Sequence, residues 1–478
     1  MSQETLQRLV ADANSGRYSR RQILQRAAAL GVSFPVVAAL FAGAVPRRAF
    51  AQDAANPLGV DPAAPLDVVI FDGGFGDDYA VNVNDNLYKK LYPNAEITYA
   101  AIQRLQEQLQ PRFVAGEPPD VIDNSGAGNL DFAALIAEGQ LADLADLMAA
   151  PSYDTEGATF AESLVPGSQD LGVYEGTQYY LAYSLSVYGM WYSSTLFEEK
   201  GWTYATTWEE HLALCEQIKA DGMAPWATTG VHPQYLRGFV FDQMLYKHDP
   251  QAAVDIDNLV ADAWKAPAVT DVLTAMTQLV ENDYILGGWE GLDHTQSQNE
   301  WLQGKAAMLP CGTWLENEMK DSVPAGFNMV VAPTPSLPND KLPFEAINAS
   351  AGEEFFVPSQ GKNVQGGKEW LRLLFSKEGG RFFAENTKSL SVVQGSGDGL
   401  DLGTAFASTQ AAIASAGANT FPTARYDFWY KDFELEVRAQ IGALMQGQVS
   451  VEEFQDTVQE LADELKEDDA IPKYTRTL

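Results

Sequence analysis

Beginning at Leu66, short apolar runs alternate with stretches of helical length. Leu66–Phe71 reads as a strand and breaks off in the turn Asp72-Gly73-Gly74-Phe75-Gly76. A helix is expected over 78–91, a strand over 96–100, a helix over 104–115, a strand over 120–122 and a helix over 130–138, which Gly139 stops. Such alternation puts crossover helices on the faces of a largely parallel sheet, so the expected class is α/β. The glycine-rich turn lacks G-x-G-x-x-G spacing, which argues against a dinucleotide site, and no cofactor is expected.

The middle of the chain changes texture. Residues 179–192 are dense in aromatics and strand formers. Helices are expected over 208–220, 234–246, 268–282 and 294–303. Thr207 and Glu210 stand at capping-box spacing for the first of these. Residues 305–309 read as a strand, and Gly312-Thr313-Trp314 opens another helix. Pro333-Thr334-Pro335 and Pro338 mark a connection. Strand-like 354–357 and helices over 362–375 and 377–385 restore the α/β texture. Helices over 433–445 and 451–465 close the chain, the first stopped by Gly447 and the second capped by Ser450 with Glu453.

The N-terminus carries an export signature. Ser19-Arg20-Arg21-Gln22-Ile23-Leu24 is a twin-arginine sequence, residues 27–45 are apolar and uncharged, and Ala49-Phe50-Ala51 is a small-x-small cleavage site. The apolar run is also long enough to span a bilayer. Pro35, its many alanines and the adjoining site favour cleavage, with Gln52 as first mature residue. Residues 52–65, rich in Ala, Pro and Asp, read as a flexible mature N-terminus. No cysteine follows the apolar run, so no lipid anchor is expected. Cys215 and Cys311 are the only cysteines; they either pair in an oxidising compartment or stay as buried thiols.

The formal charge of the whole chain is −34, and residues 1–51 hold seven arginines against two acids, so the remainder is more acidic still. Nucleic acid and anionic membrane surfaces, which need basic patches, are poor partners for it. About 430 mature residues suit two domains. The 10 Trp and 19 Tyr fit a carbohydrate site, where an aromatic face packs on the C–H face of a sugar ring.

The segment Trp301-Leu302-Gln303-Gly304-Lys305-Ala306-Ala307-Met308-Leu309-Pro310-Cys311-Gly312-Thr313-Trp314 carries a specific resemblance. Its aromatic, then Gly-x-Ala-Ala-Met, then Gly-x-Trp, resembles the extracellular solute-binding proteins of bacterial ABC importers, carbohydrate type, the maltose-binding-protein-like class. Pro119-Asp120-Val121-Ile122, Met190-Trp191-Tyr192, Leu196-Phe197, Gly201-Trp202 and Thr207-Trp208-Glu209-Glu210 follow the same order. The opening from Asp72 to Tyr79 is similar to the subgroup that binds N-acetylglucosamine and diacetylchitobiose. The resemblance implies a two-lobed periplasmic-binding-protein fold of type II with the ligand cleft between lobes. The first lobe would be 60–183 plus 345–388 and the second, more helical one 186–333 plus 389–478. Crossings would fall near 183–186, 334–345 and 388–390. It also implies a carbohydrate ligand, ABC permease subunits as partners, a monomer and no catalysis.

The same resemblance places a sugar-stacking tryptophan at Trp314, for which the ligand role is favoured over a core position, and a stacking tyrosine at Tyr235. His232 and Gln234 would hydrogen-bond from the same loop or cap its helix. Asp72, Phe75 and Asp77 follow the first strand, where ligands meet the carboxyl ends of strands. The acid–base pair of the maltose binder's first loop is replaced here by Gly74-Phe75, so contacts must differ. Asn124 and Ser125 follow the third strand, with turn chemistry as the other reading. Tyr183, Ser186 and Tyr188 lie near the first crossing, and Trp429 and Tyr430 precede a C-terminal helix. Asn348 and Arg425 are further polar candidates.

Two other functions compete. A secreted glycoside hydrolase needs two carboxylates about 5–10 Å apart, which so acidic a chain does not exclude. A binder of a non-sugar solute is the second. His211, His232, His248 and His294 show no metal-ligand spacing.

Overall fold

A computed structural model describes residues 56–126 and 128–478; the twin-arginine sequence, its apolar run and the cleavage site lie outside the described residues. Ten strands form one mixed sheet: β1 (Leu66–Phe71), β2 (Ile97–Ile102), β3 (Val121–Asp123), β4 (Tyr180–Ser193), β5 (Ala224–Trp226), β6 (Ala306–Gly312), β7 (Met329–Ala332), β8 (Ile347–Phe356), β9 (Leu390–Ser391) and β10 (Thr420–Phe421). Their order is β2-β1-β3-β8-β4-β6-β5, with β7 and β9 also on β4 and β10 on β8.

β1 runs parallel to β2 and β3, with Val68 opposite Tyr99 and Val121. Helical crossovers deliver that geometry. Because helices cover both faces, β1 is apolar on both. Val68 and Ile70 enter one core with Tyr79, Trp370 and Phe383, while Val69 enters another with Leu105 and Ile122.

The 14-residue β4 joins the two halves of the sheet. Its first part, Tyr180 to Tyr188, pairs antiparallel with β8 from Phe356 back to Asn348. Its second part, Tyr188 to Ser193, pairs with β6 and β7. Here too the cores alternate: Met190 faces a large helical core with Trp226 and Trp264, and Trp191 faces one with Trp301 and Leu309.

Two expectations are corrected: the sheet is mixed rather than largely parallel, because β4 and β8 pair antiparallel with their main neighbours, and part of the N-terminal stretch is packed. Within the stretch read as a flexible N-terminus, Leu58 and Val60 are buried in the core of β1. Helices at Pro250–Asp257 and Thr404–Ala416 are additional. The cysteines are both free and buried; Cys215 and Cys311 sit in different cores, which settles the open alternative against pairing.

Candidate functional site

The loops after β1 and β3, the middle of β4 and the turn after β6 converge on one region. The turn after β6 is built around Trp314. A Cβ placed on Gly312 would come within 2.0 Å of the Trp314 six-membered ring, and one on Gly74 within 2.7 Å of its Cδ1. The Gly-x-Trp pattern therefore has a steric cause: the indole folds back over Gly312 and meets Gly74 of the β1 loop.

Trp314 belongs to a group of half-buried rings. Its centroid lies 5.7 Å from Tyr188 and 5.7 Å from Phe239. Tyr188 and Phe239 stack at 4.9 Å, and Tyr235 meets Phe239 edge-on at 4.9 Å. Tyr235 also stacks on His294 at 6.1 Å, and His294 stands 5.1 Å from His232. Phe239 is not foreseen in the sequence. It lies in a π-helical stretch, Arg237–Phe241, a widened turn common at functional sites. Gln234 opens the helical turn Gln234–Leu236, and the His232 carbonyl accepts from the Tyr235 amide. Burial and the neighbouring His294 push His232 down. Burial opposes protonation of His294 as well, but the Glu318 carboxylate at 3.2 Å outweighs it and raises the ring.

Period-2 alternation sorts the β4 candidates. Ser184, Ser186 and Tyr188 share one face, opposite Gly352, Ser350 and Asn348 of β8. Ser184 and Ser186 hydroxyls are 3.1 Å apart, and Ser350 donates to Asn348 Oδ1 at 2.8 Å. Ser186 is only 2% exposed, so the expectation of a ligand contact there is corrected; its hydroxyl is buried against that of Ser184. Tyr183 points the other way and is fully buried among Tyr79, Phe355, Phe375 and Phe383. It is a core residue, not a ligand contact.

The loop candidates divide similarly. Phe75 is buried and meets Phe383 edge-on at 5.1 Å, so it too packs inward. Asp72 and Asp77 keep partial exposure, and Asp77 accepts from the Tyr99 hydroxyl at 3.0 Å. Asn124 is fully buried, accepting from the Leu130 amide at 2.7 Å and donating to the Leu130 carbonyl at 3.0 Å. That is turn chemistry in a fully enclosed side chain, the other reading given for this residue. Ser125 donates to Asp123 Oδ1 at 2.5 Å and accepts from the Glu354 amide at 3.0 Å. Trp429 is half-exposed and lies 5.6 Å from Tyr474, with Tyr430 buried beside it. The Asn348 side chain reaches Thr423, and Arg425 uses its amide on Asp257.

An acidic group appears that no local motif announces. Asp123, Glu353 and Glu354 gather where β3 meets β8, and among the described residues none of them has an ion-pair partner. Burial lifts Asp123 to about 6 even though Ser125 and Tyr79 hydrogen-bond it. Burial and then the Asp123 charge lift Glu354 to about 8 and raise Glu353 strongly. Glu353 is held at φ 53°, a conformation unusual for a residue with a side chain. Burial, and after it the nearby Glu354 charge, raise the Tyr188 hydroxyl, and Glu354 shares with Asn348, Ser350 and Gly352 the β8 face that meets Tyr188.

Among the described residues no group of His, Cys, Asp or Glu could hold a metal ion, and no helix is long and apolar enough to cross a membrane. The site is thus a set of half-exposed aromatic rings beside uncompensated carboxyl groups. Rings can pack on a ligand's C–H faces while the carboxyl groups take its hydroxyls or amides.

Comparison with known proteins agrees with this architecture. The model of the bacterial extracellular solute-binding protein family matches residues 73–381. The diacetylchitobiose binding protein NgcE of Streptomyces coelicolor is 34% identical over 429 residues, 88% of this chain and 89% of that protein. A probable sugar-binding periplasmic protein of Rhizobium meliloti is 25% identical over 44% of this chain and 48% of its own. Among solved structures, a chitin oligosaccharide binding protein superposes with a TM-score of 0.70 at 18% identity, over 84% of this chain and 99% of that one. RafE, solved with raffinose, superposes with a TM-score of 0.66 at 15% identity, over 84% and 99%. The two-lobed fold expected from the sequence is the fold of these neighbours, and the chain belongs to the bacterial extracellular solute-binding proteins.

Proposed function

We propose that this protein captures N-acetylglucosamine or diacetylchitobiose for an ABC importer, closing two lobes around the sugar and presenting the closed form to the permease subunits. The observation that carries this is the half-exposed ring group of Trp314, Tyr235, Phe239 and Tyr188 standing beside Glu353 and Glu354. Rings suit pyranose faces, and carboxyl groups that lack an ion-pair partner suit hydroxyl and amide donors. The likeness to a diacetylchitobiose binding protein over most of both chains supports the same sugar.

The lobes are proposed as 60–183 plus 345–388 and 186–333 plus 389–478. The shared core of Val68, Tyr183, Trp370 and Phe383 supports the first of them. Trp314, Tyr235, Tyr188, Asp72, Asp77, His232, Gln234 and Trp429 remain the proposed contacts, with Phe239 and Glu354 added. The protein is proposed to leave the cytoplasm by the twin-arginine route, without a lipid anchor, and to work as a monomer that performs no chemistry on its cargo.

A thermal-shift series tests the reading, because a ligand that binds only the folded state stabilises it by mass action. Ligand at a hundredfold excess over its Kd adds about 2.7 kcal/mol, a rise of a few degrees in a chain of this size. The expected result is such a rise with diacetylchitobiose or N-acetylglucosamine and none with maltose. No shift with either amino sugar, or release of N-acetylglucosamine from chitin oligomers, overturns it.

A further inference from the structure

The short turn after β6 does more than carry Trp314. Asn317, in the helical turn Leu315–Glu318, donates from Nδ2 to the Gly74 carbonyl at 2.8 Å. Gly74 belongs to the β1 loop, whose strand lies in a different core from Leu315. Next to it, Glu316 receives Lys388 Nζ at 2.7 Å, and Lys388 ends the helix Lys377–Thr387 on the β1 side of the molecule. Trp314 itself packs against both cores. One turn therefore holds the opposite half at three points, and only one of them is an aromatic surface for a sugar.

From this geometry we infer that Asn317 is a positioning residue: it grips the Gly74 carbonyl, docks the Trp314 turn on the β1 loop and so stabilises the closed form of the cleft. The argument rests on the proposed sugar-binding function. Asn317 is itself buried, with Nδ2 turned to the Gly74 carbonyl, so its inferred effect on a ligand passes through closure. The acceptor is a main-chain carbonyl, so the side chain on the β1 loop contributes only by its absence. Gly74 has room for the indole because it lacks a Cβ. A residue that favours closure without touching ligand slows ligand escape and leaves encounter with the open form unchanged.

The test compares wild type with Asn317→Ala and Asn317→Asp. The second keeps the shape but sets an acceptor against the Gly74 carbonyl. Stopped-flow tryptophan fluorescence with diacetylchitobiose is expected to show dissociation faster by about five- to tenfold in Asn317→Ala, at least as much in Asn317→Asp, with association unchanged; this is the scale of one hydrogen bond. Melting temperatures without ligand report whether each variant folds, and Asn317→Asp serves if Asn317→Ala does not. Wild-type dissociation rates in a folded variant overturn the inference, as does a loss confined to association. If wild type binds no sugar, the proposed function fails and the latch is judged on the empty protein. Spin labels on the two halves then read its closed fraction, which is expected to fall in the folded variant; an unchanged fraction overturns the latch.

Discussion

The Trp314 indole lies over Gly312 and against Gly74, so its orientation is set by what those two positions lack. Gly312→Ala leaves every proposed contact chemically intact yet must push the ring off its seat. Weakening of diacetylchitobiose binding by about tenfold or more is expected in titration calorimetry, comparable to the loss in Trp314→Ala. Full affinity in Gly312→Ala sinks the stacking role. At Glu354 the prediction concerns pH. Burial and Asp123 lift its carboxyl from 4.5 to about 8. The folded chain then binds this proton more tightly than the unfolded chain does, so stability falls as pH rises between those two values. Glu354→Gln removes that term. In scanning calorimetry its melting temperature is expected to exceed wild type at about pH 9, with the gap closing by about pH 4.5. A gap that does not change with pH refutes the assignment.

Among the elements, the helix Trp208–Ala220 shows how far local chemistry carries. Thr207 accepts from the Glu210 amide and Glu210 reaches back to Thr207, the reciprocal box that the spacing predicts. Thr207→Ala is expected to cost about 1 kcal/mol in urea unfolding, within the usual range for a lost cap. Its legibility has a plain cause, since capping depends on residues three apart. The same holds for Ser450 and Glu453 at Val451–Glu467. Tyr183 shows where such reading needs one more step. Its place at the crossing is legible, but its side is decided by the period of 2 that β4 imposes once its register with β8 is known. Phe239 belongs to the ring group only because the helix widens there. The acids were beyond local reading altogether. Asp123 and Glu353 come from distant parts of the chain, and only the β3–β8 pairing brings them together. Gly189 is likewise a consequence of pairing: a Cβ there would meet the Ala332 carbonyl at 2.6 Å. Gly189→Ala is expected to loosen β7 from β4 and lower the melting temperature by several degrees; an unchanged melting temperature argues against that pairing.

For the whole molecule, the alternation of strand and helix at the front of the chain is enough to foresee the parallel trio β1, β2 and β3, but not the antiparallel β8 beside them. The resemblance around Gly312-Thr313-Trp314 pointed to the family, and the family match over residues 73–381 agrees with that. Composition alone could not decide the state of the thiols, because pairing depends on which side of the sheet each one takes. With Cys215 and Cys311 in separate cores, added reductant is expected to leave the melting curve unchanged, and a drop would contradict the free thiols.

The long β4 has a kinetic consequence. Its first part is complete only when β8 arrives, more than 150 residues later in the chain, and β9 comes later still. Neither half can finish early in synthesis, because each borrows a stretch of the same strand. Folding that waits on distant pairing is slow, and unpaired edges invite association meanwhile. On the twin-arginine route proposed above, which carries folded proteins, that wait would fall before export, and the chain would cross only once the borrowed strand has both its neighbours.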